Sequence, residues 1–212
     1  MKASTKLLVR ILLILLAVAV ILVPLVIVRH DFTAFPKELK DALAAVSDLL
    51  ALIAVSFIFL DIVTGAFQPL LKKVFEPDRL RRAHIVFGVT GLLLVFVHLS
   101  LLLPYIGAHY AEANHVLFFF GPLALLLLLL TIGTALLRTR LYAIWRRIHY
   151  LNYFIFAFAV AHGLVVGADR TTVAMKVVFY VFVAVVLAGL VYRLAFTDWR
   201  SKLARGDAGD TR

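Results

Sequence analysis

Residues Leu117–Leu137 read LFFFGPLALLLLLLTIGTALL, twenty-one in a row without a charged side chain. A bilayer core about 30 Å thick is crossed by about 20 mostly apolar helical residues. This stretch is too long and too uniformly apolar for the core of a small soluble domain, so it predicts a transmembrane helix. The rest of the chain agrees. Of its 212 residues 64% are hydrophobic and 16% charged, against roughly 45–50% and about 25% in soluble domains, and mean hydropathy is +1.03. A soluble enzyme, a disordered chain, a collagen and a repeat solenoid are all excluded. With no cysteine in the sequence, disulfides, thiolate nucleophiles, cysteine zinc sites and iron–sulfur clusters are excluded too.

Working outward, further apolar runs lie near Ile11–Val28, Val46–Phe67, His84–Tyr105, Ile148–Gly167 and Val173–Phe196. The sequence thus predicts an all-α integral membrane protein, a six-helix bundle forming one domain over 1–212, with a short tail at 197–212. The second run is the least apolar, because Asp48 and Asp61 interrupt it. The uncharged run of 18 residues at Ile11–Val28 exceeds the 7–15-residue apolar core of a signal peptide, so it reads as a retained span. The net charge of +10 comes from basic residues flanking the apolar runs and does not form a stripe suited to nucleic acid. With the N-terminus inside, seventeen Lys and Arg fall on inside segments and five outside. The positive-inside rule then puts both termini in the cytoplasm and makes the cell membrane (plasma or inner) the expected location.

Ionisable side chains within a membrane are expensive and point to function. Four of the seven histidines lie on two spans, His84 and His98 on the third, His149 and His162 on the fifth. Both spans run in the same direction. The first pair is separated by 14 residues, a rise of about 21 Å, and the second by 13, about 19.5 Å. Neighbouring helices would thus hold two level pairs, His84 with His149 and His98 with His162. Imidazole suits iron, and a macrocycle between facing helices takes one nitrogen on each side. From His84, offsets of 4, 7, 11 and 14 bring Gly88, Gly91, Val95 and His98 onto one face. The two glycines suit either close approach of a flat ring or helix packing. On an ideal helix His162 is about 140° out of phase with His149, a misfit that curvature, a π-bulge or a shifted position of the macrocycle would relieve.

The segments Arg81-Arg82-Ala83-His84 … His98 and Trp145-Arg146-Arg147-Ile148-His149-Tyr150 … Ala161-His162-Gly163 resemble the ferric-reductase-like transmembrane domain family. That domain is shared by NADPH oxidase membrane cores, yeast ferric reductases and stand-alone bacterial haem-binding subunits such as that of the methionine sulfoxide reductase system. The resemblance is specific over about residues 80–168. It implies two b-type haems, an inner one on His84 and His149 and an outer one on His98 and His162, and it carries the 13-residue spacing as the family's own. The fuller family members continue into a flavin and nicotinamide domain. Here no G-x-G occurs, so no dinucleotide fingerprint is present. The expected donor is a separate flavoprotein or a membrane quinol, and the expected acceptor is ferric iron, dioxygen or an extracytoplasmic redox partner.

Other residues have a bland reading beside a functional one. His109, Glu112 and His115 suit an outer metal site or solvated loops, and His30 a loop. Asp61 suits an ion pair with Arg81 or Arg82, or proton conduction. Arg81, Arg82, Arg146 and Arg147 suit haem propionates or topology. Tyr142, Trp145, Tyr192 and Trp199 read as interfacial aromatics, and Phe118–Phe120 as lipid-facing bulk. The competing functions are a haem-free proton or ion conductor, a scaffold subunit, and a diheme quinol-oxidising cytochrome of another kind.

Overall fold

A computed structural model describes residues 3–28, 39–105, 115–166 and 172–198. Among these, six helices are long and apolar enough to cross a membrane: α1 (Ala3–Ile27), α2 (Leu39–Ala66), α3 (Pro77–Leu102), α4 (Val116–Leu136), α5 (Tyr142–Val166) and α6 (Val173–Ala195). The described chain contains no strand. This is an all-α multi-pass membrane protein, and its surroundings are a lipid bilayer. Only helices and closed barrels satisfy every backbone N–H and C=O in hydrocarbon.

Several helices begin before the apolar runs do. Helix α2 starts at Leu39, because Leu39–Ala45 (LKDALAA) forms helix well while being too polar to count as lipid-embedded. Helix α3 starts at Pro77 with Asp78 in its first turn, where a missing N–H costs nothing and a negative charge meets the positive end of the dipole. Helix α6 is capped by Thr172, whose hydroxyl accepts from the Met175 N–H at 3.3 Å.

Helix α2 is the hub. It packs against α1, α3, α5 and α6, most extensively against α3, while α4 packs on α3 and α5. The run the sequence marks as weakest is therefore the one most surrounded by protein. Its polar atoms are satisfied there: Ser56 donates to the Leu52 carbonyl at 3.1 Å and Thr64 to the Leu60 carbonyl at 2.8 Å. Between α2, α5 and α6 lies an aromatic layer, with Phe59 stacked on Phe182 at 4.1 Å and tilted on Phe156 at 6.3 Å. Lipid tails are as apolar as Leu, so such layers stabilise the bundle by contact, each aromatic pair by about 0.5–1.5 kcal/mol. Leu126, Leu130 and Val191 point outward, as lipid contact requires.

Close approach of α2 and α3 depends on glycine. A Cβ on Gly91 would lie 3.0 Å from Ile58 Cγ1, and one on Gly88 would lie 3.2 Å from Asp61 Oδ1. Both glycines thus face α2 and not the space between α3 and α5. Their packing role stands, and the role as a cradle for a ring is corrected: what approaches their backbones is a neighbouring helix.

Candidate haem-type site

The antiparallel register of α2 on α3 places Ser47 beside His98 and Asp61 beside His84. Ser47 and Asp61 are 14 residues apart, as are His84 and His98, so equal helical rise brings both pairs level. The His98 Nδ1 lies 3.0 Å from the Ser47 carbonyl and 2.9 Å from Ser47 Oγ, while Oγ donates to the His98 carbonyl at 3.0 Å. The His84 Nδ1 lies 2.7 Å from Asp61 Oδ1 and 3.0 Å from the Asp61 carbonyl. Asp61 is 7% exposed. The partner expected for it, Arg81 or Arg82, is corrected to His84. Arg81 is exposed and pairs with Asp78 at 3.6 Å, Arg82 is exposed, and α3 presents His84 to α2 instead.

From α5, His149 meets His84 with ring centroids 5.7 Å apart at 73°. Among the described residues its buried Nδ1 has no hydrogen-bond partner. Trp145, one turn earlier, stacks obliquely on His149 at 5.4 Å, and its own Nε1 is likewise buried without a partner. Trp145 is therefore oriented partly into the bundle and not solely an interfacial anchor.

The phase misfit of α5 has a local cause. Residues His149–Leu151 form a 3-10 turn between Tyr142–Ile148 and Asn152–Val166. At 3.0 residues per turn, three residues add about 60° of rotation and cut the misfit from about 140° to about 80°. The expected device was a π-bulge or curvature, and the structure uses a tighter turn.

His98 and His162 line one cavity of about 580 Å³, within the roughly 300–1,000 Å³ of cofactor sites. Its walls are Leu52, Val55, Ile58, Val95, Leu125, Ile155, Phe179 and other apolar groups from α2 to α6, with Asp48 also on the lining. His162 Nδ1 lies 3.4 Å from the Leu117 carbonyl, a long contact. Gly121 makes room for the ring: a Cβ there would lie 2.9 Å from Cε1 and Nε2. Phe118 lines the cavity and meets His162 edge-on at 6.2 Å, which corrects its reading as lipid-facing. Phe120 packs on Phe158 at 5.0 Å, and Phe119 is exposed.

These features fit an axially ligated macrocycle. A ligating histidine has its Nδ1–H fixed by a carbonyl or carboxylate, which aims the ring and sets its tautomer. His84, His98 and His162 all have such an acceptor beside Nδ1. Two imidazoles on one metal, each at about 2.0–2.1 Å, have centroids roughly 6 Å apart, close to the spacing of His84 and His149. Among the described residues no three His, Asp or Glu side chains form a group able to hold a bare ion. Arg146 and Arg147 are exposed. His30, His109, Glu112 and Trp199, and the tail from 199 on, lie outside the described residues, as does the side chain of His115. Ser47, Gly121 and the acceptor role of Asp61 were missed by sequence reasoning. The equal 14-residue spacing on two successive spans was the signal available for Ser47 and Asp61.

No family model, curated protein or solved structure matches this chain.

Proposed function

We propose that this protein is a b-type membrane cytochrome of the ferric-reductase-like kind, carrying electrons across the bilayer between two bis-histidine haem sites. The observation that carries this reading is the apolar cavity shared by His98 and His162, one bundle depth away from the contact between His84 and His149. Haem, when bound, supplies a one-electron couple tuned by its axial ligands and burial. The chain holds and orients: His84 and His98 are aimed by α2, and His162 is seated against Gly121. Leu, Ile and Phe side chains make up most of the lining of the second site.

Seventeen basic residues against five support a His84/His149 level on the cytoplasmic side, with both termini, of a cell membrane. Electrons would enter at that level from a quinol or a separate flavoprotein. They leave at the His98/His162 level to an extracytoplasmic acceptor. The Asp61–His84–His149 contact also suits a haem-free proton conductor, but the apolar lining of the second cavity supports haem over a water-filled path.

The test is haem quantification on purified variants. His98→Ala and His162→Ala should each remove about one haem equivalent, and His84→Ala and His149→Ala the other. An undiminished Soret band in all four would refute the assignment.

A further inference from the structure

The two α3 histidines are gripped in the same way by α2. In each case one α2 residue offers its backbone carbonyl and its side-chain oxygen to the histidine Nδ1, at 3.0 and 2.9 Å from Ser47 and at 3.0 and 2.7 Å from Asp61. Geometry is matched and charge is not. Ser47 is a neutral hydroxyl, 0% exposed, and Asp61 is a carboxylate, 7% exposed. The 2.7 Å separation lies at the short end of N–H···O⁻ bonds, the range of charge-assisted ones. Gly88 lets Asp61 Oδ1 come this close to α3, since a Cβ there would press on it at 3.2 Å. Buried charges are screened less than exposed ones, so the carboxylate acts on the ring more strongly than a surface carboxylate would.

We propose that α2 sets the direction of electron flow, Asp61 holding the His84/His149 centre at a lower reduction potential than the one Ser47 permits at His98/His162. This rests on the haem reading above and deepens it. A carboxylate on Nδ1–H raises the basicity of the imidazole at its other nitrogen. A more basic axial ligand, with a negative charge nearby, favours the oxidised metal and lowers its potential. Ser47 gives the same orientation without the charge. One electron then passes downhill from the first level, oxidised by one, to the second, reduced by one, and no proton moves between them. Among the described residues a cation facing the first level is Arg193, whose Nη1 lies 3.4 Å from the Gly65 carbonyl. It is held on backbone, whereas Asp61 works through the ligand ring. Asp61 is a positioning and tuning residue and touches no substrate.

The experiment is an optical redox titration of the purified haem-loaded protein, with haem counted per chain. Wild type should show two one-electron components, the lower lost in His149→Ala and the upper lost in His162→Ala. In Asp61→Asn, with two haems retained, the lower component should rise until its reduced-to-oxidised ratio at the wild-type midpoint is at least tenfold higher, a shift of 59 mV for one electron. The upper component should stay, and Asp61→Glu should restore the lower one toward wild type, which a merely structural loss would not produce. Unchanged midpoints in a diheme Asp61→Asn protein would overturn the proposal and leave the cytochrome reading intact. So would loss of the lower component in His162→Ala, which decides the matter even if Asp61→Asn fails to assemble. A colourless wild-type protein from haem-replete cells would overturn both.

Discussion

A single methyl group at Gly121 would sit 2.9 Å from two atoms of the His162 ring, closer than side-chain carbons approach ring atoms. The ring must move, and with it the wall of the cavity. Gly121→Val is therefore expected to lower haem content by about one equivalent without affecting the His84/His149 level, which spectra of a Gly121→Val, His162→Ala double variant check by showing no further loss. Gly91→Ala meets Ile58 Cγ1 at 3.0 Å. Overpacking of this kind costs about 1–3 kcal/mol, so detergent unfolding of Gly91→Ala should come earlier. Gly133 is the contrast. Among the described residues nothing lies within 4 Å of a Cβ there, and replacing glycine within a helix by alanine stabilises by about 0.5–1 kcal/mol. A later unfolding midpoint for Gly133→Ala is the expected result, and an earlier one would mean that the α4 surface is packed. The histidines themselves were legible in the sequence because charge-bearing side chains in apolar runs stand out. Gly121 was not, because the reason for it lies 41 positions away on another helix.

Helix α2 shows why element-level reading of a membrane chain goes astray. By hydropathy Asp48 and Asp61 count against it, yet a carboxylate in a span has to turn inward toward protein, and the span that carries it becomes the hub. Its start at Leu39 was invisible for the converse reason: the first two turns, Leu39–Ala45, are helical without being apolar enough to count as lipid-embedded. On α5 the ideal 100° rotation misplaced His162, because the 3-10 turn at His149–Leu151 depends on tertiary packing that periodicity does not encode. The register of α5 past that turn is thus decisive. One alanine inserted after Leu151 rotates His162 by about 100° while leaving His149 in place. Such a protein should keep the haem of the His84/His149 level and lose the other, as read by haem per chain; two retained haems would contradict the α5 geometry described here.

At the scale of the whole molecule, the sequence carried the six-helix architecture in the plainest way, through the length of its apolar runs. The orientation proposed from the placement of Lys and Arg is open to a clean test, since the sequence has no cysteine to interfere. A membrane-impermeant thiol reagent applied to intact cells should label a cysteine introduced at His30 and spare one introduced at Ser4; the reverse pattern would invert the direction assigned to the conduit. The central claim is that two parallel helices, α3 and α5, hold porphyrin iron at two depths. Its most direct test is the haem-to-chain ratio, with a reduced-minus-oxidised spectrum, of wild-type protein purified from haem-replete cells. Two b-type haems per chain, with a Soret band and a reducible α-band, are predicted, and a colourless protein would contradict the account.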